Sequence, residues 1–152
     1  MSREAAEIDR TDRNIVAQLR EDARRSFREI GVAVGLSAPA VKRRVDRLFE
    51  RGVVTGTTAT IDPEQLGWST RAIVALFCEG RMTATEVRAA VSAHAEVAAA
   101  YTVAGEASAI LHVLARDTKE LELVLERIRE TPGVVRTQTQ IVLSTLFERP
   151  LG

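Results

Sequence analysis

Residues Ser26 to Glu50 read SFREIGVAVGLSAPAVKRRVDRLFE. Ser26-Phe27-Arg28-Glu29 fits the Ser-x-x-Glu capping box, in which serine and glutamate each satisfy a free backbone N–H of the other. Phe27, Ile30 and Val34 then fall on one helical face. Gly35 tolerates a positive φ and ends that helix. Leu36 packs into the turn. Ser37 can cap the next helix, and Pro39 fits its first turn, where a missing N–H costs nothing. The next helix is expected over residues 38–50. Val41, Val45 and Leu48 form its buried stripe, and Lys42, Arg43, Arg44, Asp46 and Arg47 point elsewhere. Gly52 closes it.

Upstream, Asp9 can N-cap a first helix, with Asp12 near the positive end of the helix dipole. Ile15, Val16 and Leu19 follow at helical spacing as core candidates. Downstream, 53–56 and 57–61 read as two short strands around Gly56, a small wing. Helix, helix, tight glycine turn, basic helix and wing together make a winged helix-turn-helix candidate. The major groove of DNA is about one α-helix wide, and the short turn braces the reading helix against its partner. Ser37, Ala38, Pro39 and Ala40 are small residues at the end that approaches base edges. Lys42, Arg43 and Arg47 can contact bases or phosphates, and Arg44 either clamps a phosphate or braces the fold.

The charge distribution agrees. The net charge is zero, but residues 1–60 hold 12 Lys/Arg against 9 Asp/Glu, and residues 61–152 hold 9 against 12. From Arg24 to Arg51 there are 8 basic and 3 acidic residues, so the basic excess sits in one short stretch. That points to a polyanion, double-stranded DNA, as partner of the N-terminal third. The plainer alternative is a three-helix module with a solvated basic face.

The proline and glycine of the stretch 62–67 mark a turn or linker. The expected organisation is a DNA-binding domain over 1–61, a linker over 62–67 and a second domain over 68–152. Beyond the linker the pattern changes. An apolar run over 72–78 reads as a buried strand. A helix over 83–94 carries Val87 and Val91. Strands follow over 97–104 and 108–115, around a Gly105-Glu106 turn. Thr118 caps a helix containing Leu121, Leu123, Val124, Leu125 and Ile128. Pro132-Gly133 stops it, and 134–146 form a long last strand. The order β-α-β-β-α-β implies a ferredoxin-like antiparallel sheet with both helices on one face, within an overall α+β fold. The strands carry apolar residues at both parities, so the second face is expected to pair with another copy of the chain.

Other functions find little support. The length of 152 residues fits one or two domains, and 45% hydrophobic with 28% charged residues is an ordinary globular composition. No apolar run reaches the ~18–20 residues of a membrane span, and the charged start does not resemble a signal peptide. A single cysteine, Cys78, excludes an internal disulfide, and a cytoplasmic location is expected. No catalytic set emerges. His94 and His112 are far apart in sequence and read as structural, so neither enzyme activity, a metal nor a cofactor is expected.

The ordered set of motifs resembles the Lrp/AsnC family of feast/famine regulators. The likeness is carried by Ile8-Asp9-x-x-Asp12-x-x-Ile15, by Gly35-Leu36-Ser37 with Val41, Arg44, Val45 and Leu48, and by Gly52-Val53-Val54-x-Gly56. Downstream, Asp62-Pro63, Val103-Ala104-Gly105-Glu106 and Pro132-Gly133-Val134-x-x-Thr137-x-Thr139 complete it. The resemblance implies a winged helix-turn-helix joined to a ligand-sensing domain of the RAM/ACT-like type. It further implies homodimers, often assembled as tetramers of dimers, and an amino acid or related metabolite bound between dimers. The implied ligand residues are Tyr101, Ala104, Gly105, Glu106, Ala107, Ser108, Thr137 and Thr139. Where the family typically has Gly-Asp-Tyr-Asp, this chain has Gly105-Glu106-Ala107-Ser108, so one acid and the aromatic are missing. The expected function is sequence-specific transcriptional regulation. The alternative is a metabolite-sensing oligomer that acts through a protein partner.

Overall fold

The structure, a computed structural model, describes residues 8–80 and 82–148. The outer ends of the two expected domains, 1–7 and 149–152, lie outside the described residues. The chain divides into two compact units between Thr60 and Ile61.

The first unit holds three helices, α1 (Arg10–Glu21), α2 (Phe27–Val34) and α3 (Ala38–Glu50). Each start has a local cause. Asp9 caps α1 by accepting from the Asp12 N–H at 2.7 Å. Ser26 and Glu29 form the expected reciprocal box at α2. Gly35 ends α2 at φ 71°. Ser37 takes the cap position of α3, but its side chain makes no capping bond; its carbonyl accepts from Ala40 and Val41 instead. Ile15, Ile30, Val41, Val45 and Leu48 form the buried core, with Val16, Leu19, Phe27, Val34 and Leu36 packed against it.

The two wing strands do not form. The Val53 and Val54 N–H groups both donate to the Leu48 carbonyl, at 2.9 and 3.1 Å, so they close the end of α3 instead of joining a ladder. Residues 55–62 are exposed and irregular. Threonine-rich β-propensity without a partner strand does not make a sheet.

In the second unit, 62–67 is ordered. Asp62 caps a short 3-10 helix over Pro63–Leu66, which Gly67 ends. Then come β1 (Thr70–Cys78), α4 (Ala84–Val91), β2 (Val97–Thr102), β3 (Ala109–Ala115), α5 (Thr118–Arg129) and β4 (Val134–Ile141). The sheet order is β2-β3-β1-β4, antiparallel at each pairing, which is the ferredoxin-like arrangement. Asp117, not Thr118, caps α5 by accepting from the Glu120 N–H at 2.8 Å. The last strand stops at Ile141, short of 146; Ile141 lies opposite Ala72, and one further bond, from the Val142 N–H to the Arg71 carbonyl at 2.8 Å, follows it. The helix at 84 ends at Val91, and β2 ends at Thr102, two residues before Ala104.

Alternation decides the faces. Ala72, Val74 and Leu76 of β1 and Ala109, Leu111, Val113 and Ala115 of β3 are buried beneath Val87, Val91, Leu121, Val124, Leu125 and Ile128 of the helices. On the opposite face Ile73, Ala75, Phe77, Ile110 and Leu114 are only half-buried, and His112 is exposed. No helix among the described residues is long and apolar enough to cross a membrane.

Candidate nucleic-acid interface and ligand site

The geometry of α2 and α3 is fixed by backbone contact. Leu36 N–H donates to the Gly31 carbonyl at 2.9 Å. A Cβ built on Gly31 would lie 2.4 Å from the Leu36 carbonyl oxygen, so the turn closes only over a glycine. At the start of α2, the Ser26 hydroxyl and backbone hold the Glu29 carboxyl below the usual carboxylate range.

With Val41, Val45 and Leu48 buried, 3.6 residues per turn puts Pro39, Arg43, Asp46 and Glu50 on the side directed away from the core. Ser37, Pro39, Lys42, Arg43 and Arg47 are exposed, and Ala38 and Ala40 half-buried. Lys42 Nζ donates to Asp46 Oδ2 at 2.6 Å, one turn along the same helix.

Arg44 takes the bracing role. Its Nη1 donates to Asp9 Oδ2 at 2.7 Å and to Asp12 Oδ1 at 2.8 Å, tying α3 to the start of α1. The Asp12 side chain is only 6% exposed, so this cation neutralises a carboxylate that water barely reaches. The Asp9 carboxyl is held below its ordinary value by the Asp12 N–H and then by Arg44, and the Arg44 guanidinium is held more firmly charged by both aspartates. Both bonds are made through Nη1, and the Arg44 side chain is 27% exposed. The sequence reading placed Asp12 only at the helix dipole. The missed signal is spacing, because Asp12 shares a helical face with Ile15 and Leu19, and a carboxylate on a buried face needs a cation.

In the second unit the β2–β3 turn is exposed from Val103 to Glu106, with Ala107 and Ser108 half-buried. Gly105 has φ 150°, a backbone that favours glycine. Ser108 anchors the turn to β1. Its N–H donates to the Leu76 carbonyl at 2.8 Å, and its hydroxyl accepts from the Cys78 N–H at 3.1 Å. Glu106 thus stands exposed on a turn fixed from beneath.

Tyr101 lies beside His112 edge-on, with ring centroids 5.7 Å apart, and also lines a cavity of about 410 Å³ between α4 and β2. Thr137 and Thr139 lie opposite Leu76 and Val74 and so share the helix-covered face. Thr137 Oγ1 accepts from Arg129 Nε at 3.0 Å. Thr139 lines a groove of about 460 Å³ between α5 and β4, and its Oγ1 is buried without a partner. β2 and β4 are the two edges of the sheet, three strand spacings or roughly 14 Å apart. Tyr101 is therefore far from Thr137 and Thr139, whereas Ser108 is bonded to β1 at Leu76, the residue that lies opposite Thr137 on the other side. His94 N–H donates to the Val91 carbonyl in the turn after α4. Among the described residues no group of His, Cys, Asp or Glu is placed to hold a metal.

Residues 8–48 match the AsnC-type helix-turn-helix domain, and residues 71–151 match the Lrp/AsnC ligand binding domain. The HTH-type transcriptional regulator Rv2324 of Mycobacterium tuberculosis is 51% identical over 142 residues, covering 93% of this chain and 96% of that protein. The HTH-type transcriptional regulator LrpA of the same organism is 39% identical over 140 residues, covering 92% and 93%. Among solved structures, the feast or famine regulatory protein from M. tuberculosis complexed with L-methionine superposes with a TM-score of 0.89 at 37% identity, over 96% of this chain and 99% of that one. The L-methionine complex of a transcriptional regulator from Neisseria meningitidis gives 0.88 at 25% identity, over 95% of each chain.

Proposed function

The chain belongs to the Lrp/AsnC family of transcriptional regulators, and on that premise we propose that it binds specific DNA sequences under the control of an amino acid or related metabolite. The observation that carries the reading is α3. It is a helix braced on one side by Gly31 and Arg44, with Ser37, Pro39, Lys42, Arg43 and Arg47 left exposed on the other. Ser37, Ala38, Pro39, Ala40, Lys42, Arg43 and Arg47 face the groove, and Arg44 positions the helix without touching DNA. The protein acts in the cytoplasm and has no enzymatic activity.

The half-open face of the sheet supports self-association. Ile73, Phe77, Ile110 and Leu114 lie on it, and Leu143, Leu146 and Phe147 are largely exposed in the segment after β4. A monomer gains by covering so much apolar surface, and a twofold copy offers the same surface in return. The assembly is a homodimer, further grouped as a tetramer of dimers. The effector lies between copies. The turn residues Ala104–Ser108 and Tyr101 come from one copy, and Thr137 and Thr139 from another, since a single chain holds Tyr101 and the two threonines on opposite edges of the sheet. Glu106 accepts the ligand ammonium alone, because Ala107 and Ser108 supply neither an aromatic nor a second acid. The two L-methionine complexes among the relatives support an amino acid as ligand.

The test is binding of the purified chain to duplexes selected from a random pool, at fixed salt. Arg43→Ala weakens binding by roughly 1–3 kcal/mol and relaxes one base position if Arg43 reads a base. A uniform loss with a salt slope reduced by about one assigns it to phosphate. No loss on any duplex removes Arg43 from the interface. Adding single amino acids at millimolar concentration raises the melting temperature if one of them binds the native assembly.

A further inference from the structure

A helix offered to a polyanion has little use for carboxylates, yet the outward side of α3 carries two, Asp46 and Glu50. Glu50 is the last helical residue, remote from the N-terminal turns that approach base edges. Asp46 is different. It lies between Arg43 and Arg47 in sequence, on the side opposite Val41, Val45 and Leu48. Its Oδ2 accepts from Lys42 Nζ at 2.6 Å, and both side chains are exposed, at 49% and 61%. An exposed i,i+4 pair contributes little to stability, so α3 does not depend on it to fold. The pair does two other things. It spends the charge of Lys42 inside the helix, and it fixes a carboxylate on the surface that meets DNA.

Resting on the reading of α3 as the groove helix, we propose that Asp46 is a specificity-determining residue that accepts a hydrogen bond from the 4-amino group of cytosine, with Lys42 as its positioning residue. The chemistry leaves few other partners. A carboxylate is repelled by phosphates. In the major groove guanine presents two acceptors, N7 and O6, and thymine presents O4 and a methyl group, so both oppose it. Adenine offers an amino group, but its N7 acceptor lies alongside. Cytosine offers a donor with no acceptor on its own major-groove edge. Arg43, one turn back, has the complementary preference for guanine. The helix therefore couples a donor and an acceptor at adjacent levels, and Lys42 serves Asp46 rather than a phosphate.

The experiment uses the full chain and selection from a randomised duplex pool, followed by affinities for the selected and for random duplex at one salt concentration. The variants are Asp46→Asn, which keeps the volume, Asp46→Ala, and Lys42→Ala. The expected result is a cytosine at one position of each wild-type half-site, with preference lost at that position alone in both Asp46 variants. Their ratio of specific to random binding falls about tenfold, within the range for one mismatched pair. Their affinity for random duplex rises, because a repulsive charge is gone. Lys42→Ala relaxes the same position. The inference is overturned if the Asp46 variants select the wild-type sequence with the same ratio. It is also overturned if Lys42→Ala lowers affinity equally on every duplex with a reduced salt slope. A wild-type chain that selects no sequence overturns the regulator reading itself, which separates the two failures.

Discussion

The two units solve the packing problem by different means. The second buries thirteen residues in one cluster between the sheet and α4 and α5, and its shape follows from strand alternation. The first has a core of five buried residues and obtains its geometry from polar and backbone devices. A capping box, a glycine at a helix contact and a guanidinium between two aspartates fix three short helices. The difference teaches where each unit is vulnerable. The sheet unit depends on volume, and the helix-turn-helix depends on a few directed contacts. It also bears on function, since a reading helix must be held at a set angle while one whole side stays free.

The largest expected effect lies in the sheet unit. Leu111 is fully buried at the centre of β3. Leu111→Ala removes apolar contact and leaves a cavity, which costs about 2–5 kcal/mol. The only tryptophan and the only tyrosine, Trp68 and Tyr101, both lie in this unit, so their near-ultraviolet circular dichroism, at longer wavelength than that of Phe27 and Phe49 in the first unit, reports on it alone. A loss under 1 kcal/mol by denaturant titration breaks the claim that volume governs this half.

Next comes the Arg44 latch. Arg44→Ala leaves Asp12 charged and nearly buried without a partner. Removing one partner of a fully buried pair costs about 3–5 kcal/mol. Arg44 is 27% and Asp9 54% exposed, so solvent screens part of this and about 1–3 kcal/mol is expected. The double change Arg44→Leu with Asp12→Leu recovers most of the loss, because it removes the unpaired charge as well. Amide exchange over residues 10–50 measures both. DNA affinity falls in Arg44→Ala and returns in the double variant, since Arg44 acts through the position of α3. Failure of the double variant to restore binding assigns Arg44 a direct contact instead.

This division explains what the sequence disclosed. The capping box, the bounds of α3, the stripe Val41–Val45–Leu48 and the sheet order were legible because each is a local periodicity or a short spacing. The latch joins residues 32 and 35 positions apart, and no local pattern records it. The wing illustrates the opposite error. Residues 53–61 have strand-like composition, but the Val53 and Val54 N–H groups had already been claimed by Leu48. The ligand residues were named together by motif, whereas topology sends Thr137 and Thr139 to one sheet edge and Tyr101 to the other. Strand order is a long-range property, and periodicity within one strand carries no trace of it.

Two glycines sharpen the comparison within the first unit. Gly31 has no room for a methyl group, because its Cβ would meet the Leu36 carbonyl oxygen at 2.4 Å. Gly35 has open space but φ 71°. Gly31→Ala must push α2 from the turn and costs about 1–3 kcal/mol. Gly35→Ala suffers only backbone strain, about 1 kcal/mol. The order separates steric from conformational need, and thermal melting of the two variants checks it. Gly31→Ala also weakens DNA binding beyond its effect on stability, because it changes the angle of α3.

The smallest effect is the response to acid, where the units carry a matched pair. Glu29 closes the box with Ser26, and Glu86 closes the same box with Thr83. Hydrogen bonds from those partners depress both carboxyls below their ordinary 4.5. A depressed folded value means the unfolded chain binds the proton first, so stability is complete above the ordinary value and is lost as pH falls through the folded one. Asp9 follows the same sign from its ordinary 3.8 and exists only in the first unit. Below pH 4.5 the two boxes therefore loosen together, as does the Arg116–Glu120 pair of the second unit, whose carboxyl Arg116 also holds below its ordinary value, and below 3.8 the helix-turn-helix loses its latch to the nearly buried Asp12 region as well. Amide exchange at Glu29, Glu86 and Asp12 across this range distinguishes them, because each N–H donates to a capping side chain. Parallel curves at Glu29 and Glu86 with faster opening at Asp12 place the acid weakness in the directed contacts of the first unit. Opening of the whole sheet unit at the same pH would show that its core depends on carboxylates as much as the helices do, and the contrast between the halves would fail.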